Sequence, residues 1–289
     1  MKTSTEIGSI AKLVGERKAV ELVGKAGFDA WDFSLGGMGD WDWERKVIKD
    51  IPHPLKESQY LEFARELKKI GEAYGMVCNQ SHAPFPTNCM PLDYMKRSIE
   101  CTAEVGGKIC IIHPNNDGTA EENAEFYHKI LPFAKDYGVK IATENMYNWE
   151  KGASTSCFAA CATIESFLKH LELVDDPYLV ACLDIGHAEM QGSGDGAVPM
   201  IKALGNHLQA LHIHDNDKIR DSHQIPFSMS IDFEAIAKVL KEVNYEGYLT
   251  LEAAEYLPKY YTAETAFEGV KNLLESTKKL DQMLQTASV

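Results

Sequence analysis

Along this chain, short runs that are apolar on both faces alternate with longer stretches in which apolar residues recur every three or four positions. The short runs predict strands at "STEIGSI" (4–10), "DAWDFSL" (29–35), "GMVCNQSHA" (75–83), "KICIIHP" (108–114), "VKIATENM" (139–146), "YLVACLDIGH" (178–187), "LQALHIHD" (208–215) and "YLTLEAAE" (248–255). The longer stretches predict helices. In "SQYLEFARELKKIGEAYG", Tyr60, Phe63, Ala64, Leu67 and Ile70 share one face, and Gly75 stands where a helix stop belongs. A helix-glycine-strand junction recurs at "KAGFDAWDF", "EVGGKICII" and "DYGVKIATE". Strands buried on both faces, each followed by a helix, imply a parallel sheet with crossover connections. Eight such units predict a single (β/α)8 TIM barrel domain over 1–289, with an open doubly wound sheet as the alternative.

Composition narrows the class. The chain is 45% hydrophobic and 25% charged, and no apolar run reaches the roughly 18 to 20 residues of a membrane span. Its start, "MKTSTEIGSI", lacks a basic segment followed by an apolar one, and the 7 cysteines sit in apolar runs like reduced core thiols. The expectation is a cytoplasmic protein. A net charge of -14, from 29 basic and 43 acidic residues, argues against a broad nucleic-acid footprint, because phosphate affinity comes from Lys and Arg clusters. No GxGxxG or Walker loop occurs, so nucleotide binding has little support. Assembly into a homo-oligomer is left open.

The candidate chemistry lies where the predicted strands end, which in a barrel is the catalytic mouth. His82 closes the third strand, His113 the fourth, Glu144 the fifth, Asp184 and His187 the sixth, His212 the seventh and Glu252 the eighth. Any one of these alone reads most simply as a hydrogen-bonded rim residue. Together they pose a conflict, since three carboxylates facing one another repel and raise one another's pKa unless a cation sits among them. Glu144, Asp184, His212 and Glu252 offer oxygen ligands with one imidazole, a set that suits Mn²⁺ best and leaves Zn²⁺, Mg²⁺ and Co²⁺ as alternatives.

Glu144 in "ATENMYNWE", Asp184 and His187 in "LDIGH", His212 in "LHIHDND" and Glu252 in "LTLEAAE" resemble the metal-centred signature of the xylose isomerase-like TIM barrels, in their sugar isomerase and epimerase branch. The resemblance runs through nearly the whole chain. It implies, as in ketose 3-epimerases, that Glu144, Asp184, His212 and Glu252 hold a divalent metal, that His187 contacts substrate oxygens, and that Glu150 is a second substrate contact. Where those epimerases carry an arginine six residues after the metal histidine, this chain has Lys218, with Arg220 nearby. A rival limb of the same resemblance, the zinc-dependent apurinic-site endonucleases, adds ligands that match His82, His113, Asp221 and His223 here. The acidic balance weighs against DNA as substrate.

The expected function is therefore a metal-dependent isomerase or epimerase of a free or phosphorylated sugar or polyol, in carbohydrate metabolism. Glu144 and Glu252 would divide the proton transfer next to a polarised carbonyl. A multi-zinc phosphodiesterase and a non-catalytic metal- or sugar-binding protein are the alternatives. Trp41 and Trp43 read as an apolar wall over a sugar ring or as loop packing, and His187 and Lys218 as holders of substrate oxygens. His214 and Asp217 read as partners that orient His212, while His53, His128, His170 and His207 read as structural.

Overall fold

The predicted strands form and close on one another. In the computed structural model, which describes residues 1–288, they are β1 (Lys2–Thr5), β2 (Ala30–Ser34), β3 (Val77–His82), β4 (Ile109–Ile111), β5 (Lys140–Glu144), β6 (Leu179–Asp184), β7 (Leu208–His212) and β8 (Tyr248–Leu251). β2 through β7 pair side by side in chain order, all parallel, and β1 pairs with β8. Parallel bridges Glu6–Asp32 and Ile213–Leu251 join these two sheets into a ring. The fold is a TIM barrel.

Strand alternation divides the apolar residues between two compartments. Ile111, Ala142, Val180, Cys182 and Ala210 form a small cluster of their own, the plug of the barrel. Their neighbours in sequence, among them Cys110, Ile112, Ile141, Ala181, Leu183 and Leu211, belong to the larger core under the surrounding helices. The parity has a direct functional result. Glu144, Asp184 and His212 each lie two residues beyond a plug residue, so they face inward one layer higher, at the C-terminal mouth.

Around the ring the helices follow their periodicity. Tyr60–Ala73 buries Phe63, Ala64, Leu67 and Gly71 and is followed by Gly75 in the left-handed region, as the sequence pattern predicts. Ala120–Asp136 starts with a capping box, in which the Thr119 hydroxyl accepts the Glu122 N–H and the Glu122 carboxylate accepts the Thr119 N–H. All seven cysteines are free, and five of them are buried.

Two strand predictions need correction. The "STEIGSI" run holds only the end of the first strand: β1 covers Lys2–Thr5, and the chain turns into a helix at Gly8–Val14. Glu6 causes the turn by accepting the Ser9 N–H at 2.9 Å, which places Ile7 and Ile10 in the core from a helical segment. β6 likewise stops at Asp184, and His187 lies on the one-turn helix Ile185–Glu189 rather than on the strand.

Two substitutions away from the mouth calibrate this packing in urea denaturation. Leu67→Ala, at a fully buried position, is expected to lower stability by about 2–5 kcal/mol. Thr119→Ala, which removes the capping hydroxyl, is expected to cost about 1 kcal/mol.

Candidate active site at the barrel mouth

Asp184 and His212 are register partners on adjacent strands, which sets two candidate ligands side by side. Glu144 enters from β5 and Glu252 follows β8. One ligand atom from each of Glu144, Asp184, His212 and Glu252 lies within 4.8 Å of the others, so the four residues predicted as a metal set do converge. His212 sits at the centre, its Nδ1 2.9 Å from Glu144 Oε1 and 3.5 Å from Glu252 Oε2. Glu144 also reaches outward, and its Oε2 accepts from His113 Nε2 at 3.0 Å. His82 and His113 turn their Nε2 atoms on each other at 2.8 Å, which brings His82, His113 and Glu144 into a second group that shares Glu144 with the first.

A third group lies on the other side. His187, His214, Asp221 and His223 also come within ligating distance of one another. His223 Nε2 is 2.8 Å from Asp221 Oδ2, and its ring stacks on His214 at 3.9 Å between centroids. His214 is thus not a partner of His212, as its sequence position suggested; its Nε2 faces Asp184 Oδ1 at 3.1 Å and Asp221 Oδ1 at 3.4 Å. Glycine at position 186 is required by this arrangement, because a Cβ there would fall 1.9 Å from the His214 ring.

The Asp184-to-His187 turn is built locally. The Asp184 carboxylate accepts the His187 backbone N–H at 2.7 Å as an N-terminal cap. Asn145, which the sequence reading passed over, clamps the turn from β5: its Oδ1 accepts the Asp184 N–H at 2.7 Å and its Nδ2 donates to the Asp184 carbonyl at 2.9 Å. The loop after β7 is held by Asp215, whose carboxylate accepts backbone N–H groups of Asn216, Met229, Ser230 and Ile231.

Electrostatics separate the carboxylates. Burial pushes Glu144 up, but His212 and His113 outweigh it and hold its carboxyl well below the usual range. Glu252 goes the other way, pushed up to about 8 by burial, with Glu144 and Asp184 adding repulsion against the pull of His212 and His223. Burial disfavours charge on His212, His187 and His223, yet their carboxylate neighbours raise all three, His187 to about 10. Carboxylates and imidazoles thus favour one another's charged forms in Glu144, His187, His212 and His223.

The residues fit a divalent cation on independent grounds. His113 Nδ1, Asp184 Oδ2, His214 Nε2 and Asp221 Oδ1 are buried without a hydrogen-bond partner, an arrangement that in folded proteins calls for a ligand or water. Oxygen atoms with one imidazole suit Mn²⁺ in the central group, while the flanking groups, richer in histidine, suit Zn²⁺.

The predicted substrate contacts divide. Trp41 and Trp43 lie on a short hairpin after β2 and line a cleft of about 660 Å³ together with Glu6, Phe85 and Glu252. Trp43 is 65% exposed and tilts against Phe85. Both nitrogens of His187 face protein acceptors, Nδ1 donating to the Asn145 carbonyl at 2.9 Å and Nε2 lying 3.4 Å from Asp221 Oδ2. Lys218 pairs with Glu189 at 2.9 Å, and Glu150 is exposed in the loop after β5, outside the three groups. Among the described residues no helix is long and apolar enough to cross a membrane.

The chain is similar to several known proteins. The chain is 28% identical to an inosose dehydratase of Clostridium perfringens, over 81% of this chain and 75% of the relative. It is 25% identical to a fructoselysine 3-epimerase of Shigella flexneri, over 72% of this chain and 74% of the relative. In structure it is similar to the IolI protein, solved with a bound zinc atom, at a TM-score of 0.71 and 18% identity, covering 97% of this chain and 99% of that one. The model of the xylose isomerase-like TIM barrel family matches residues 20–279. With nine-tenths of its length matched by that model and its carboxylates and histidines gathered at the C-terminal mouth, the chain belongs to the xylose isomerase-like TIM barrel family.

Proposed function

We propose that this protein is a divalent-metal-dependent isomerase or epimerase of a polyhydroxylated ketone, a free or phosphorylated sugar or a cyclic polyol, with Glu144 and Glu252 as the proton-transfer pair. The observation that supports it best is the convergence of Glu144, Asp184, His212 and Glu252, the last of which also lines the cleft walled by Trp41, Trp43 and Phe85. Glu144, Asp184, His212 and Glu252 are the residues that would hold the cation, Mn²⁺ by the balance of oxygen over nitrogen. When bound, such a cation supplies Lewis-acid polarisation of a carbonyl and its neighbouring hydroxyl.

The chain's own groups supply the rest. Glu144 and Glu252 come from strands separated by β6 and β7, so they address a carbon at the centre from different directions. One carboxylate takes the proton next to the carbonyl, the C–H electron pair passes into the enolate, and the other carboxyl delivers a proton to the opposite face or to the neighbouring carbon. The same first step opens a route to dehydration if a β-hydroxyl leaves, which accommodates a relationship to both an epimerase and a dehydratase. Trp41 and Trp43 would cover the ring and exclude water. His187, on its one-turn helix, and Lys218 and Glu150, on the loops after β7 and β5, are the candidate contacts for substrate oxygens.

The flanking groups favour a second reading. His82 and His113 with Glu144, and His187, His214, Asp221 and His223, would allow two further metal ions and a phosphodiesterase of the multi-zinc kind. The net charge of -14 opposes a duplex-DNA substrate.

Three measurements test these readings. With the metal bound, the enzyme should catalyse exchange of a substrate proton for solvent deuterium on a ketose or inosose, and Glu144→Gln and Glu252→Gln should each lower the exchange rate by about 10²–10⁴-fold; no exchange with any such ketone under Mn²⁺, Co²⁺, Zn²⁺ or Mg²⁺ overturns the proposal. Elemental analysis should find one ion per chain, whereas three zinc ions with cleavage of abasic DNA select the phosphodiesterase. Chelation should lower Tm by roughly 5–10 °C and metal return should restore it, since a ligand at 100 times its Kd stabilises by about 2.7 kcal/mol.

A further inference from the structure

His212 is hydrogen-bonded on both sides. Its Nδ1 faces Glu144 and Glu252, and its Nε2 lies 3.1 Å from Oδ2 of Asp32, a fully buried carboxylate on β2. Asp32 Oδ2 also accepts from Gln80 Nε2 at 2.9 Å. The orientation of the Gln80 amide is itself fixed: its Oε1 accepts from Asn79 Nδ2 at 3.1 Å and from the Thr250 hydroxyl at 3.4 Å, while its Nε2 also points to the Leu211 carbonyl at 3.4 Å. Flipping that amide would set its oxygen against a carboxylate and a carbonyl. Asn79 is held in turn by the Ser4 hydroxyl, which donates to Oδ1 at 2.6 Å, and by its own donation to Thr250 at 3.0 Å. A polar chain from β1, β3 and β8 thus runs under the mouth and ends on Asp32.

A carboxylate oxygen already receiving one N–H can only accept from the imidazole. Asp32 Oδ2 thus anchors the Nε2 side of the ring, and Nδ1 is the nitrogen aimed at Glu144 Oε1 and Glu252 Oε2. We infer that Asp32 is the positioning residue of the metal centre, fixing the tautomer and ring angle of His212 so that Nδ1 is its ligand atom and raising that atom's basicity. Residues in this relation to a metal histidine typically change metal affinity by about 10–100-fold when removed. Asp32 does not line the cleft, and its side-chain hydrogen bonds go to His212 and Gln80.

This inference rests on the metal-dependent reading, and the test separates the two. Zinc affinity of the full chain is measured by competition with a chromophoric chelator for wild type, Asp32→Asn and Asp32→Ala, with the urea midpoint of each metal-free protein recorded alongside. Side-chain ¹⁵N NMR of wild type with zinc bound reads the state of His212 directly, and it does not depend on either variant folding. The expected result is a protonated Nε2 and a metal-bound Nδ1 in wild type, with zinc binding weakened about tenfold or more in Asp32→Asn, which keeps the volume but not the charge, and further in Asp32→Ala. Zinc bound through Nε2, or affinities within fivefold of wild type in the folded variants, overturns the role of Asp32 and leaves the metal reading standing. Wild type that binds no divalent metal overturns both.

Discussion

The mouth of this barrel concentrates acid where water is scarce. Glu144, Asp184, Asp221 and Glu252 crowd a space into which six imidazoles also project, and most of these side chains are buried. A buried charge is tolerated only when a counter-charge or a hydrogen-bond donor reaches it. Everything above β4 to β7 is arranged around that requirement: Asn145 clamps the Asp184 turn, Gly186 lets His214 in, and Asp215 pins the loop that brings Asp221 and His223 back over the centre. Among the imidazoles, the neighbouring carboxylates favour the charged form of His187, His212 and His223. The site is consequently both a set of ligands and its own set of replaceable counter-ions.

Much of this was legible in the sequence because strand periodicity and ligand placement share one cause. A run apolar on both faces that ends in an ionisable residue marks an inward position at the end of a barrel strand, which is how Glu144, Asp184, His212 and Glu252 stood out. The loop ligands Asp221 and His223 were visible only through resemblance, since nothing in "RDSHQIP" itself reveals that the segment folds back. β1 was misplaced because its residues Thr3, Ser4 and Thr5 are polar yet buried, so the strand lacked the apolar signature and the next apolar pair, Ile7 and Ile10, took its place.

Other residues were hidden for physical reasons. Asp32 sits in the middle of "AWDFS", where it reads as one polar position in an otherwise apolar strand, and its importance appears only when the ring closes and β2 faces β7 across the interior. Asn145 and His214 follow recognised residues by one and two positions and were overshadowed by them. Lys218 and Glu150 came from the resemblance, carried over by their spacing from His212 and Glu144; spacing locates residues well on strands, where the rise per residue is fixed, and poorly in loops, where it is not. Lys218 lies beyond β7 with positive φ and an ion pair to Glu189, and neither feature could be read in advance.

The cap that ends β6 limits how Asp184 can bind. One of its oxygens is committed to the His187 N–H at 2.7 Å, and the other is the buried atom without a partner. The oxygen without a partner is thus the one freest to meet a cation, and the cap biases the carboxylate toward giving one oxygen rather than two. A ligand that gives a cation a single oxygen would leave more of that cation's coordination to be met by two neighbouring oxygens of an incoming polyol.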